Sequence, residues 1–273
     1  MMTSINTNVG ALNARASAVR ATSKMEQAME RLSSGLRVNS AADDAAGLSV
    51  AGKMESQLRG INMSIRNAQD GVGLIQTAES GVNEIRNMVL RMRELAVQMA
   101  NGIYEDTPDR NNAQLEVTAL INQVTLIAEN TRFNDVALLD GSFTTVNIQA
   151  GNTTAETIEL SFVDMASSGL SIDTVSIATQ SNATSALGTL DSALETIASE
   201  QATMGSLINR LNFSINNQSK ASVMTEQAVG RIMDADFATE TTNLSKQQIL
   251  NQAATSMLAQ ANQSKQSILA LLQ

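Results

Sequence analysis

Cysteine, histidine and tryptophan are absent from the 273 residues, and proline occurs once, at Pro108. Without cysteine no disulfide forms and no thiol chemistry is available; without histidine there is no imidazole to shuttle a proton near neutral pH. A disulfide-stapled fold is excluded. A Ser-His-Asp triad lacks a member, and a zinc site would need carboxylates alone. A single proline leaves long helices free to run. Aromatics are scarce too, with five Phe and one Tyr. Packing therefore falls to Ala, Leu, Ile and the 14 Met within an apolar share of 43%. That composition favours helices meeting along thin seams over a thick globular core.

Long apolar runs are missing as well. The start, "MMTSINTNVGALNARASAVR", has no uninterrupted apolar core of the kind a cleaved signal peptide carries. No stretch approaches the ~18 apolar residues that span a bilayer. The expectation is a soluble chain without a conventional export tag.

Positive charge is what the middle lacks. Of the net −9, residues 101–210 carry three basic and 14 acidic side chains, and no Lys or Arg occurs between Arg132 and Arg210. Residues 1–60 carry seven basic and five acidic side chains, and the remaining segments balance at four and four. A nucleic-acid binder would need a basic footprint, which is not there. Near-neutral ends suit packing against protein, and an acidic middle suits water.

What the sequence does have is helical periodicity. Ile5, Val9, Leu12, Ala16, Val19, Met25, Met29 and Leu32 recur at steps of mostly three and four, and predict a helix over 4–32 with Asn6, Thr7 or Asn8 near its cap. Ala51 through Met99 continue such steps for some fifty residues, with a change of winding at Val72, Ile75 and Ala78. Gly71, Gly73 and Gly81 inside this helix read as close-packing positions. "ANGIYEDTPDRNNAQ" reads as a turn, with Asp106-Thr107-Pro108 opening a third helix over 110–130. Such a short connection implies an antiparallel hairpin of helices.

From Phe133 to about Ile177 the period changes. "TTVNIQA", "TIELSFV" and "LSIDTVSI" alternate in part and are β-branched, predicting short strands and hairpins. Helical spacing returns at Ala183 and runs to about residue 228. "VGRIMDADF" breaks it, and a last helix follows over 238–270. The fold class expected is mainly α: a long antiparallel helical bundle or coiled coil formed by both chain ends, with a small central β-hairpin region.

The stretch "LSSGLRVNSAADDAAGLS" interrupts the first two helices. Gly35 is placed to cap the helix before it. Ser40, with Asp43 three residues on, resembles a capping box that opens the helix after it. Asp43 and Asp44 invite an acid–base reading, but adjacent helical residues point about 100° apart, so they do not form a dyad. An acidic first turn is the better reading. Asp234 and Asp236 of "DADF" lack an EF-hand loop around them and read as a turn or helix start. Neither P-loop nor Rossmann glycine spacing occurs. No enzyme activity and no cofactor is expected.

Several long motifs, in order, carry a resemblance. They are "SINTN" at Ser4–Asn8, "LSSGLRVNSAADDAAGL" at Leu32–Leu48, "NAQDGVGLIQTAE" at Asn67–Glu79 and "RELAVQMANG" at Arg93–Gly102. "TRFNDVALLDG" at Thr131–Gly141, "RIMDADFATETTNLSKQQIL" at Arg231–Leu250 and "LAQANQSKQSILALL" at Leu258–Leu272 complete the set. With these motifs the chain resembles the bacterial flagellins, the filament proteins of the flagellum.

The resemblance implies an inner-core helix at 1–34, a linker at 35–45 and outer-core helices with the start of a β region at 46–141. It further implies a short variable surface insert at 142–182, a carboxy-terminal outer-core helix at 183–229 and an inner-core helix at 230–273. The implied function is a subunit that self-assembles into an extracellular helical homopolymer and transmits motor rotation as thrust. The alternative is the hook–filament junction protein, a relative with similar terminal helices. Implied partners are the flagellar type III export apparatus, an export chaperone, the hook–filament junction protein and the filament cap protein. By the same resemblance, Leu32, Gly35, Leu36, Asn39, Asp43, Asp44, Asp234, Asp236 and Phe237 form the assembly hinge. Leu250, Met257, Leu258 and Ile268 would meet the chaperone. Arg91, Leu95 and Glu116 match the contact of flagellins recognised by a vertebrate innate immune receptor.

Overall fold

The computed structural model describes residues 7–143 and 145–270, without the side chains of Gln266, Ile268, Leu269 and Ala270. Five long helices and four short strands follow one another: α1 (Val9–Ser34), α2 (Ala45–Met99), α3 (Asn111–Asn130), β1 (Arg132–Phe133), β2 (Val136–Ala137), β3 (Val146–Gln149), β4 (Thr157–Leu160), α4 (Gln180–Met233) and α5 (Phe237–Ala270). The chain forms two compact units, one of Met1–Ser56 with Met224–Gln273, the other of Gln57–Val223.

In the first unit α1 and α5 lie antiparallel. Asn8 caps α1, its Oδ1 accepting the Ala11 amide at 3.1 Å. The same side chain donates to the Ala261 carbonyl on α5 at 3.0 Å. Further along, Asn251 donates to Thr22 Oγ1 at 2.6 Å. The seam itself is thin: its buried apolar side chains are small, Ala21, Ala28 and Ala254. A layer of two helices has no second face to bury, so Leu12, Val19, Ile249 and Met257 stay in water.

The second unit has the true core. Along α2, Ile75, Ala78, Val82, Ile85, Val89 and Met92 are buried, and Leu190, Ile197, Met204 and Leu211 of α4 pack in the same cluster. The two helices run antiparallel in one register, marked by Asn62–Ser222, Asn83–Gln201 and Arg93–Asp191 at 3.1, 2.7 and 2.6 Å. Gly81 is a close-approach position: a Cβ there would stand 2.6 Å from Thr131 Oγ1 and 2.9 Å from Leu139 Cδ1. Gly71 is snug against Ile148 and Leu211, but Gly73 faces open space, contrary to expectation. Its place in the sequence near Gly71 is not a shared face, since residues two apart on a helix point apart.

The middle of the chain keeps the expected hairpins but differs from its sequence reading in its first turn, its third strand and its burial. The α2–α3 connection closes with a single wide turn at Asp106–Arg110, containing a cis Thr107–Pro108 peptide, and α3 starts at Asn111 rather than at the proline. Two hairpins form, β1–β2 and β3–β4. The first turns through Asn134 and Asp135, both at positive φ, as a two-residue hairpin loop requires. The third expected strand, at 170–177, is instead a series of turns. The Leu170, Ser171, Ile172 and Val175 amides bond to carbonyls three to five residues back. Its apolar residues, Leu170, Ile172, Val175 and Ile177, are buried nonetheless. Alternation there recorded burial without strand pairing: among the described residues the two sheets are β1–β2 and β3–β4 alone. Phe143, Leu160, Phe162 and Met165 are buried too, so this segment supplies core as well as surface.

Candidate assembly joint

The two places where helices break, 35–44 and 234–236, are stitched to each other. Gly35 ends α1 in the left-handed region, φ 73°, its amide donating to the Arg31 carbonyl at 2.9 Å. The Gly35 carbonyl then accepts the Ala235 amide at 2.9 Å, and Leu36 pairs antiparallel with Asp234. The Arg37 amide donates to the Met233 carbonyl at 2.6 Å, and its guanidinium to the Ile232 carbonyl at 2.6 Å. Arg37 thus occupies the carbonyls that the end of α4 leaves unpaired, where a cation is favoured. Val38, 1% exposed, anchors the strand of chain between them.

Asp43 is the hub of the turn that follows. One carboxylate oxygen accepts the Asn39 amide, the Ser40 amide and the Ser40 hydroxyl at 3.3, 3.0 and 3.0 Å. The other accepts Gln27 Nε2 at 3.1 Å and Arg31 at 3.4 Å. The Ser40 amide, then its hydroxyl and Gln27, hold the Asp43 carboxyl at a pKa of about 2. Arg31 also faces Glu240 on α5 at 3.9 Å, and Asn39 donates to Glu30 at 2.8 Å. One acid and one guanidinium thereby tie the end of α1 to the turn and to the start of α5.

The expected capping box is only half present. Asp43 reaches back to the Ser40 amide, but the Ser40 hydroxyl donates to Asp43 instead of capping a helix. Asp44 does the capping: its Oδ1 accepts the Gly47 amide at 2.8 Å and its carbonyl accepts the Leu48 amide at 2.9 Å. The serine sits four residues too early for the helix that begins at Ala45. Asp43 and Asp44 thus have separate structural duties. Asp236 caps α5 in the same way, accepting the Ala238 and Thr239 amides at 3.0 and 3.4 Å and the Thr239 hydroxyl at 2.8 Å. Those donors, the hydroxyl first, lower its pKa.

The remaining expected residues are dispersed. Leu32 is half-buried and Phe237 is 61% exposed. Arg91 meets Glu116 on α3 at 2.9 Å and Glu94 at 3.2 Å, all exposed, whereas Leu95 is 5% exposed and packs inward. Leu250 and Met257 are exposed on α5, Leu258 is half-buried, and the side chain of Ile268 lies outside the described residues. Sequence reading did not find Gln27, Arg31, Arg37 or Glu240 as joint residues. In sequence they are ordinary polar positions, and their pairing joins residues as far apart as Arg31 and Glu240. Among the described residues no three acids gather as a metal site would need.

Residues 5–144 match the model of the bacterial flagellin N-terminal helical region, and residues 187–272 that of the C-terminal helical region. The chain belongs to the bacterial flagellin family. It is 40% identical to a flagellin of Halalkalibacterium halodurans over 98% of this chain and 99% of that one. It is 38% identical to the flagellar filament 33 kDa core protein of Treponema phagedenis, again over 98% and 99%. The crystal structure of Bacillus cereus flagellin is similar at TM-score 0.51 and 31% identity, covering 56% of this chain and 88% of that one. A putative flagellar hook-associated protein from Vibrio parahaemolyticus shares the fold at TM-score 0.60 and 13% identity, over 70% of this chain and 100% of that one. As a flagellin-family member the chain is a structural subunit of the extracellular flagellar filament, and it polymerises with itself.

Proposed function

We propose that the joint at 35–44 and 234–236 sets the geometry in which each subunit enters the filament. The observation that carries this reading is the double stitch, Gly35 to Ala235 and Arg37 to Met233, at the point where the break that follows α1 meets the break that precedes α5. In this reading α1 and α5 form the inner tube, and the unit of Gln57–Val223 forms the outer core. The apolar side chains that a two-helix layer leaves in water, Leu12, Val19, Ile249 and Met257 among them, are covered by neighbouring copies. An open groove of about 570 Å³ between α1 and α5, lined by Ala14, Leu250, Ala254 and Met257, supports the same reading. Repeated head-to-tail contacts that do not close into a ring give a filament.

Family membership supports, in the same reading, a set of finer partners. The flagellar type III export apparatus carries the chain out, and an export chaperone covers Leu250, Met257 and Leu258 of α5 until then. The hook–filament junction protein seats the first subunits, and a cap protein guides later ones. Arg91 and Glu116, paired and exposed, are the residues an innate immune receptor would meet. The experiment is seeded growth: purified monomer is added to short filament seeds and elongation is followed by electron microscopy. Wild-type chain extends the seeds, and the Asp43→Lys/Asp44→Lys variant does not, or gives filaments of altered shape. Normal filaments from that variant overturn the joint's role.

A further inference from the structure

The sequence contains one Asn-Gly step, Asn101-Gly102, and both residues are exposed in the turn after α2. The Ile103 amide donates to Asn101 Oδ1 at 3.3 Å. An Asx turn of this kind folds the side-chain carbonyl back toward the following peptide. The hydrogen bond lands on the oxygen that would take negative charge if Cγ were attacked, so the Ile103 amide stabilises that charge as it forms. Among the described residues the Gly102 amide has no hydrogen-bond partner. Glycine also carries no Cβ to obstruct the approach of its own nitrogen to the neighbouring side chain.

We propose that Asn101 is a site of spontaneous deamidation through a succinimide. The Gly102 amide nitrogen gives its proton to hydroxide and attacks Asn101 Cγ. A Gly102 N–Cγ bond forms, the Cγ–Nδ2 bond breaks, and the side-chain nitrogen leaves as ammonia with a proton from water. Water then opens the ring at Cγ to give aspartate, or at the backbone carbonyl to give isoaspartate. Nothing but water and hydroxide is needed. The chain contains its own comparison in Asp140-Gly141, where Asp140 Oδ1 likewise accepts the Ser142 amide, at 3.0 Å, although Gly141 sits at φ 78°. There the leaving group is absent and the Ser142 hydroxyl holds the carboxyl ionised, which makes a poor electrophile.

The consequence is local. Asn101 lies just beyond the carboxyl end of α2, where a new negative charge is disfavoured, and Asp106 and Asp109 follow closely. Its carbonyl accepts a hydrogen bond from Arg110 at 2.9 Å. Isoaspartate lengthens the backbone by one carbon at that carbonyl and draws it off Arg110, loosening the α2–α3 turn.

The full-length protein is aged in mildly alkaline buffer, and the peptide spanning 94–110 is followed by mass spectrometry and by isoaspartyl methyltransferase labelling. Asn101 is expected to convert about tenfold faster than Asn39 of the exposed Asn39-Ser40 step, because serine carries the Cβ that glycine lacks and the Ser40 amide is held by Asp43 at 3.0 Å. Gly102→Ala is the decisive variant. Gly102 is not at positive φ, and a Cβ would stand 3.5 Å from Gln180 Nε2, an ordinary contact, so the fold is kept. Thermal unfolding checks this, and conversion at Asn101 should slow by about tenfold. An intact Asn101, equal rates at Asn101 and Asn39, or an unchanged rate in Gly102→Ala overturns the proposal.

Discussion

The Gly35 carbonyl accepts the Ala235 amide at 2.9 Å, joining two residues two hundred positions apart at the point where α1 has just ended and α5 is about to begin. Gly35 holds this contact only because it sits at φ 73°, a conformation that costs a side-chain-bearing residue about 1 kcal/mol or more. Gly35→Ala should lower stability by about 1 kcal/mol in thermal unfolding and leave filaments that still form. Gly35→Pro removes the amide that caps Arg31 and fixes φ on the wrong side, so sedimentable polymer should be lost.

Asp43 makes the joint resistant to acid. Its folded pKa of about 2 lies below the ordinary 3.8, so its contribution is full above the ordinary value and disappears as pH falls through about 2. An NMR titration of the Ser40 amide, which donates to this carboxylate, should therefore show a midpoint near the depressed value. A midpoint at the ordinary value would mean that the hub is not formed in solution. Asp43→Asn should abolish the titration and weaken filament growth.

Glu200 works in the opposite direction. It is 5% exposed, one of its oxygens has no hydrogen-bond partner among the described residues, and burial raises its pKa while the Val163 amide offsets only part. The folded chain therefore holds this proton more tightly than the unfolded chain. The associated stability is complete below the ordinary 4.5 and is lost as pH rises through the raised folded value. Melting temperatures of wild type and Glu200→Gln should converge in mild acid, with the variant melting higher at alkaline pH.

Arg110 is 3% exposed and serves three acceptors, the Met99 and Asn101 carbonyls at 2.8 and 2.9 Å and Asp106 at 2.7 Å. Removing it leaves the Met99 carbonyl at the end of α2 without a partner among the described residues, and the Asn101 carbonyl with only the Tyr104 amide at 3.5 Å. Arg110→Met should cost about 2–3 kcal/mol in denaturant unfolding. Asp106→Asn, on the exposed side of the same contact, should cost under about 1 kcal/mol.

Two glycines of α2 separate close packing from mere composition. Gly81→Ala would push a Cβ against Thr131 and Leu139 and should destabilise by about 1–3 kcal/mol. Gly73→Ala meets nothing within 4 Å and should be neutral or stabilising by up to about 1 kcal/mol. Circular dichroism melts of the two variants would distinguish them directly.

The helices were legible because their signal is local. Steps of three and four from Ala51 to Met99 predict α2, and the structure runs it over Ala45–Met99. A single proline left long helices free to run, and the absence of cysteine excluded a disulfide-stapled fold. The Gly35 cap and the acid at Asp236 could also be read, since caps depend on neighbours a few residues away. Ser40 misled because a serine followed three residues later by an acid satisfies the same pattern whether or not a helix starts there. The turns at 170–177 misled because burial alternates along irregular chain as well as along strands.

By itself the sequence determined that this is a long helical chain with breaks at 35–45 and within 229–237, no nucleophile–imidazole chemistry and the motif order of a flagellin. Periodicity, turn residues and absences are properties of short windows, and short windows are what a sequence displays. Only the tertiary structure decided that Arg31 faces both Asp43 and Glu240, that Arg37 closes the end of α4, and that Gly81 is crowded while Gly73 is not. Those relationships join residues far apart in the chain, and they exist only once the antiparallel helices have fixed their register.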